Sequence, residues 1–169
     1  MGTHKDHVAL VTGAAQGIGQ ALAVALAQRG AEVIVTDLTP PRETAKMIGS
    51  PAHAFQLDVT QEEDWRSLSV KSLNIGDVDI VVNNAGYFPN RLIDDLDLST
   101  WRKTMATNLD AHFLEREIFL TRHAKKEMGP LRRNIFQYGR PVDTGNEPLH
   151  YLKNGNHRFY ERFGQRRRR

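Results

Sequence analysis

The stretch VTGAAQGIGQ, residues 11–20, holds three glycines within seven positions. It follows a short apolar run, Val8–Val11, and precedes a segment rich in alanine and leucine, Gln20–Arg29. An apolar run, a glycine-rich turn and a helical pattern in this order predict a strand that turns tightly into a helix, which Gly30 closes. In such a turn, backbone N–H groups and the helix N-terminus can meet a phosphate group.

Outward from this turn, short apolar runs alternate with helical patterns. Three further runs predict strands at Glu32–Thr36, His53–Leu57 and Val78–Val82. Three segments predict helices: Pro40 to about Ile48, a capping box of Thr60 and Glu63 leading to about Leu73, and Ser99 to about Lys126. This alternation predicts an α/β fold, a Rossmann-like doubly wound parallel sheet in three αβα layers, incomplete at its C-terminal end.

The last part of the chain differs from the rest in charge and pattern. Of the net charge of +3, residues 131–169 contribute +7, from nine Arg and one Lys against three acids, which leaves −4 for residues 1–130. Residues 136–169 show no sustained apolar period and few aliphatic side chains. We therefore expect an α/β domain over residues 1–135 and a basic, poorly structured tail over residues 136–169.

Composition excludes several classes of function. The absence of cysteine rules out disulfides, thiolate catalysis and cysteine-ligated zinc, and the seven histidines show no metal-ligand spacing, so no metal site is expected. No apolar run is long enough to cross a bilayer and no signal peptide is recognised, which predicts a cytoplasmic protein without a membrane partner. The arginines at 166–169 lack an ordered nucleic-acid-binding motif, so we expect no nucleic-acid partner.

Ligands of parallel sheets bind beyond the carboxyl ends of the strands. Four groups of residues fall there, and the glycine turn at residues 13–19 is the first. Asp37 can accept hydrogen bonds from both hydroxyls of an adenine ribose and would repel a 2′-phosphate, which favours NAD over NADP. Asp58 and Val59 can border the adenine, and Asn84 to Gly86 offer a polar side chain and bare backbone beside the ribose. The predicted cofactor-binding residues are Gly13, Gln16, Gly17, Ile18, Gly19, Asp37, Leu38, Asp58, Val59, Asn84, Ala85 and Gly86.

The spacing Thr-Gly-x-x-x-Gly-Ile-Gly at residues 12–19, with NNAG at 83–86 and Asn108, resembles the short-chain dehydrogenase/reductase family over about residues 5–120. The resemblance implies a nicotinamide cofactor and hydride transfer to or from a secondary alcohol or ketone. It implies a serine, a tyrosine thirteen positions later and a lysine four beyond, where the tyrosine is the general acid and base. It also implies a helix asparagine that positions a water of the proton relay, and assigns that catalytic role to Asn108.

The other catalytic residues do not stand where the resemblance requires them. Tyr138, Tyr151 and Tyr160 have no lysine four residues later, and Lys153 follows Tyr151 by only two positions. Two positions place side chains on different sides of a strand or helix, so they cannot form the pair. We therefore expect little turnover from the chain as written.

A shifted reading frame accounts for this mismatch. If codons from about Phe136 onward are read one base later, Phe136 can become serine, Leu149 can become tyrosine and Lys153 can remain lysine, with the required intervals. We hypothesise that this region is frame-shifted and that the chain ends early.

The predicted function is that of an NAD(P)-dependent oxidoreductase acting on a small-molecule secondary alcohol or ketone, with intact relatives that form homo-oligomers. Tyr87, Phe88 and Pro89 predict an apolar wall at the mouth of the site. The alternative is a non-catalytic dinucleotide-binding fragment.

Overall fold

A computed structural model describes residues 4–49, 51–125 and 133–136 of the chain. These residues form a five-stranded parallel sheet in the order β3-β2-β1-β4-β5, with helices packed against it. The elements are β1 (Val8–Thr12), α1 (Gly17–Gln28), β2 (Glu32–Asp37), α2 (Arg42–Ile48), β3 (Ala52–Gln56), α3 (Glu62–Lys71), β4 (Val78–Asn83), α4 (Leu98–Met105), a π-helical segment (Ala106–Asp110), α5 (Ala111–Lys125) and β5 (Arg133–Phe136).

The sheet separates two apolar cores. On β1, Leu10 faces one core, whereas Ala9 and Val11 face the other, because successive side chains of a strand point to opposite faces. The first core contains Trp65 of α3 and Phe119 of α5, whose rings meet edge to face with centroids 6.3 Å apart. The second core packs against α1 and α2. Two covered faces confirm the predicted three-layer, Rossmann-like αβα fold.

The strand order places β1 between β2 and β4. The chain builds outward through β2 and β3, then crosses back so that β4 pairs with the other side of β1. The order therefore reverses between β1 and β4, and at such a reversal parallel sheets bind ligands in a crevice beyond the carboxyl ends of the strands. This crevice is where the predicted cofactor residues follow their strands.

Two predicted helix starts differ from the structure. Helix α3 begins at Glu62 without a side-chain cap, because the N–H and hydroxyl of Thr60 both donate to Asp58 Oδ1, at 2.9 and 2.7 Å. The predicted capping box is therefore wrong. The long helix is capped by Asp97 and not by Ser99: the Asp97 carboxylate accepts from Thr100 N–H at 2.7 Å, and the Ser99 hydroxyl donates to that same carboxylate. A charged acceptor holds the helix N-terminus better than the hydroxyl beside it.

Strand β5 was not predicted. It pairs in parallel with β4, Ile80 opposite Arg133 and Asn83 opposite Phe136, so it ends one residue beyond the expected domain boundary at 135. Four residues are too few to show a period, and pairing with β4 decides their conformation. The remainder of the predicted tail, residues 137–169, lies outside the described residues. No described helix combines the length and apolar character that crossing a bilayer requires.

Candidate cofactor-binding site

The glycines of the turn after β1 are required by conformation and by space. Gly13 and Gly17 have φ of +63° and +61°, a region that side-chain-bearing residues rarely adopt. At Gly19, an added Cβ would lie 2.3 Å from the Gly13 carbonyl oxygen, so no side chain fits. At Gly17 an added Cβ would meet nothing within 4 Å, and Gln16, Gly17 and Ile18 are exposed. The turn therefore presents the N-terminus of α1 to open space.

Thr12 and Asn84 fasten this turn to the end of β4. The Thr12 hydroxyl accepts from the N–H groups of Asn84 and Ala85, at 3.1 and 3.0 Å, and donates to Val82 O at 3.3 Å. The Asn84 amide nitrogen donates to the carbonyls of Thr12 and Gly13, both at 2.9 Å. The Asn84 amide nitrogen thus braces the turn, while Gly86 is exposed beside it.

Asp37 lies against the same turn from the end of β2. Its Oδ2 accepts from Ala15 N–H at 3.0 Å and its Oδ1 accepts from Leu38 N–H at 2.8 Å. The carboxylate is half-buried, whereas the Leu38 side chain is exposed. The glycine turn and the carboxylate therefore share one crevice, with the charge held in a fixed orientation.

Asp58 and Val59 lie at the end of β3, one strand further out. Leu57 N–H donates to Asp37 O at 2.9 Å, which brings this segment beside the end of β2. The Asp58 carboxylate is turned toward Thr60, and the Val59 carbonyl accepts from the Trp65 indole N–H at 2.9 Å. Both residues are thereby held at the rim of the crevice.

Asn108 lies in the π-helical segment and is buried. Its Oδ1 accepts from Tyr87 N–H at 2.9 Å, and its Nδ2 donates to Tyr87 O at 2.7 Å. The amide thus clamps both backbone groups of one residue in the loop after β4. A π-helical turn inside an α-helix is frequent at functional sites, because the wider turn changes which backbone groups are paired.

Tyr87, Phe88 and Pro89 lie in the loop after β4. Lys103 Nζ lies 4.3 Å from the centroid of the Tyr87 ring, within range of a cation–π contact. Phe88 is half exposed and Pro89 is buried. Of the predicted apolar wall, Phe88 is exposed and Pro89 is not; whether the wall borders a substrate stays a prediction.

Sequence reasoning missed three residues that support the turn: Thr12, Gln20 and Thr44. The Thr44 hydroxyl donates to Ala14 O at 2.8 Å, and the Gln20 amide nitrogen donates to Ala15 O at 3.2 Å. Thr12 opens the glycine motif at residues 12–19, which could have pointed to it, whereas no sequence signal distinguishes Thr44. Within the described residues, no three or more His, Asp or Glu side chains are grouped as metal ligands.

The chain is similar to several known dehydrogenases. The hydroxyacyl-CoA dehydrogenase ChsB1 of Mycobacterium tuberculosis is 32% identical over 153 residues, which cover 83% of this chain and 47% of that protein. Trans-4-hydroxycyclohexanecarboxylate dehydrogenase of Sinomonas cyclohexanicum is 35% identical over 121 residues, 64% of this chain and 47% of that protein. A crystal structure described as a gluconate dehydrogenase from Agrobacterium tumefaciens superposes with a TM-score of 0.78 at 26% identity, covering 90% of this chain and 62% of that one.

The chain spans about half the length of these two curated relatives, 47% of each. The family model for short chain dehydrogenases matches residues 7–131, from the residue before β1 into the segment that follows α5. Proteins of this family bind NAD(P) and oxidise or reduce small molecules. Because the family model matches most of its length, the chain belongs to the short-chain dehydrogenase family.

Proposed function

We propose that the chain binds NAD in this crevice and derives from an oxidoreductase of small secondary alcohols or ketones. The hydrogen bond from Ala15 N–H to Asp37 Oδ2, at 3.0 Å, carries the proposal. It joins the turn that is proposed to bind phosphate directly to the carboxylate that is proposed to bind ribose, and this adjacency supports one nucleotide ligand for both. The names of both curated relatives describe dehydrogenases of hydroxylated substrates, which supports the proposed substrate class.

Each part of the cofactor is assigned to the residues that follow one strand of the sheet. The N–H groups at the start of α1, past the open space over Gly17, would hold the pyrophosphate. Asp37 would accept from the adenine ribose, Asp58 and Val59 would border the adenine, and the backbone at Ala85 and Gly86 would meet the second ribose. When bound, the nicotinamide supplies the acceptor or donor of a hydride.

NAD is the preferred form in this proposal. Two backbone N–H groups hold the Asp37 carboxylate in position, one on each oxygen. A 2′-phosphate bound at this position would therefore lie close to a negative charge. Unit charges about 4 Å apart repel by about 4 kcal/mol at an effective dielectric constant near 20. Even partly screened, that repulsion favours NAD over NADP.

The second candidate is a non-catalytic dinucleotide-binding fragment, and one observation favours it for the chain as written. Asn108 holds Tyr87 in place, yet no tyrosine beyond residue 136 has a lysine four positions later. Losing a general acid and base removes roughly 10²- to 10⁴-fold of rate. We expect the chain to bind NAD and to turn over secondary alcohols little or not at all.

Titration with NADH and NADPH tests binding, with the melting temperature as the readout. A ligand that binds only the folded state raises the melting temperature. We expect NADH to raise it at lower concentration than NADPH, with no oxidation of a panel of secondary alcohols by NAD. Equal shifts with both coenzymes would overturn the preference, and turnover at the rates of intact dehydrogenases would overturn the fragment proposal.

Further expectations accompany this function. We propose that residues 1–135, together with Phe136 at the end of β5, form the NAD-binding domain. We also propose a cytoplasmic location. Homo-oligomers are proposed for intact relatives only. The shifted frame from about Phe136 is tested by sequencing the coding DNA. Codons that cannot yield serine, tyrosine and lysine one base later, at 136, 149 and 153, would refute it.

A further inference from the structure

The peptide group between Ala14 and Ala15 is held at both of its ends. Its N–H, that of Ala15, donates to Asp37 Oδ2 at 3.0 Å. Its carbonyl, that of Ala14, accepts from the Thr44 hydroxyl at 2.8 Å. Because a peptide group is planar and rigid, a hydrogen bond that fixes the carbonyl also fixes the direction of the N–H. Thr44 and Asp37 therefore act on one rigid unit from opposite sides.

Thr44 belongs to α2 and is fully buried, with an exposed fraction of 0%. Its hydroxyl carries one proton, which goes to Ala14 O at 2.8 Å in preference to Ala15 O at 3.4 Å. The Gln20 amide nitrogen donates to the Thr44 hydroxyl at 3.0 Å and to Ala15 O at 3.2 Å. Gln20 thus satisfies the acceptor side of the hydroxyl and leaves its proton directed at Ala14.

The neighbouring backbone bond completes the arrangement. Ala14 N–H donates to Thr36 O at 2.9 Å, so three elements, α1, β2 and α2, converge on two residues of the turn. Without the hydroxyl of Thr44, the Ala14 carbonyl would be buried without this donor, and rotation of the peptide would aim that carbonyl at Asp37. The carboxylate would then lose a donor and face a partial negative charge.

We propose that Thr44, oriented by Gln20, is a positioning residue that sets the NAD preference by holding the Ala14–Ala15 peptide against Asp37. The proposal rests on the proposed NAD site and adds to it a determinant on α2 that touches neither coenzyme. It predicts that the preference between NADH and NADPH changes when the hydroxyl is removed, even though Asp37 is untouched.

The test compares Thr44→Val, which removes the hydroxyl at nearly constant shape, with Thr44→Ser, which keeps it. Thr104→Val is the matched control, because Thr104 is also fully buried and its hydroxyl also donates to a backbone carbonyl, that of Thr100, at 2.8 Å. The full chain is used for dissociation constants of NADH and NADPH and, without coenzyme, for hydrogen exchange of the Ala15 amide.

For Thr44→Val we expect about fivefold weaker NADH binding, the equivalent of one hydrogen bond, and a smaller loss for NADPH. We also expect faster exchange of the Ala15 amide. Thr44→Ser restores both, and Thr104→Val changes neither the ratio of the two dissociation constants nor the Ala15 exchange.

An unchanged coenzyme ratio and unchanged Ala15 exchange in Thr44→Val would overturn the proposal and leave Thr44 a residue of the fold alone. If the wild-type chain binds neither coenzyme, the proposed function fails, while the exchange measurement still decides whether Thr44 holds the peptide. If Thr44→Val does not fold, Gln20→Met takes its place. Gln20 is half-buried, and its loss must shift the same two measurements in the same direction.

Discussion

The candidate site has two parts, which we call the nucleotide half, the glycine turn with Asp37, and the catalytic half, Asn108 with the Tyr87 backbone that it binds; both names follow the proposed roles. The nucleotide half offers mainly backbone N–H groups and space, so glycines and small residues suffice to build it. The catalytic half depends on named side chains, and in this chain only Asn108 stands at its expected place. A site built from backbone groups therefore tolerates more changes of sequence than one built from particular side chains, because backbone groups are present in every residue.

The strongest way to break this comparison is Gly19→Ala. Its Cβ would lie 2.3 Å from Gly13 O and 2.4 Å from Asn84 Nδ2, so the turn must shift and both halves lose their anchor. We expect a loss of about 3 kcal/mol or more in the free energy of unfolding, and no NADH binding. Gly49→Ala is the control for NADH binding, because nothing lies within 4 Å of its added Cβ: we expect it to lose stability through the backbone strain of φ +79° and to keep NADH binding. A Gly19→Ala protein with the wild-type melting temperature would contradict the prediction.

Asn108→Leu separates the two halves. It removes the partner of the part-buried N–H and carbonyl of Tyr87, and we expect a loss of about 2 kcal/mol in the free energy of unfolding. AMP engages only the nucleotide half, so its affinity should stay near wild type while that of NADH falls. Calorimetric titration of the folded variant with both ligands measures this. Equal weakening of AMP and NADH would show that the halves are not separable.

Asp37→Ser tests the charge in the nucleotide half. A serine hydroxyl can still accept from the ribose but no longer repels a phosphate, so NADH should bind about tenfold more weakly and NADPH more tightly. Dissociation constants from NADH and NADPH fluorescence give the ratio. Asp110→Asn, which removes one charge from an exposed position, serves as the control. If the ratio of the NADH and NADPH dissociation constants changes equally in Asp37→Ser and Asp110→Asn, the preference depends on net charge and not on Asp37.

The smallest expected effect concerns acid stability at the start of α4. Hydrogen bonds from the Ser99 hydroxyl and from Thr100 lower the pKa of Asp97 from 3.8 to about 2. A lowered folded-state pKa stabilises the folded chain above pH 3.8, and this contribution is lost as the pH falls through about 2. We expect Asp97→Asn to melt slightly below wild type at neutral pH and at the same temperature near pH 2. If the two melting temperatures still differ near pH 2, the effect comes from the changed geometry of the cap and not from its charge.

The sequence predicts those parts that depend on local pattern. The strands up to β4, the glycine turn and Asp37 follow from apolar runs and from residues that only a turn requires. It does not predict contacts that arise when distant elements pack. Thr44 is one threonine in a seven-residue helix, and its role exists only once α2 lies over the turn. The π-helical segment around Asn108 likewise has no signature in composition, because helix width depends on what the helix packs against.

The hydroxyl of Thr12 has a consequence for how the protein is made. It accepts from two N–H groups of the segment after β4 and donates to β4 itself, so its bonding capacity is filled from residues up to 73 positions later in the chain. A nascent chain that has left the ribosome only as far as β3 therefore has the glycines but lacks their brace. We therefore expect a chain under synthesis to bind coenzyme only after β4 has paired with β1.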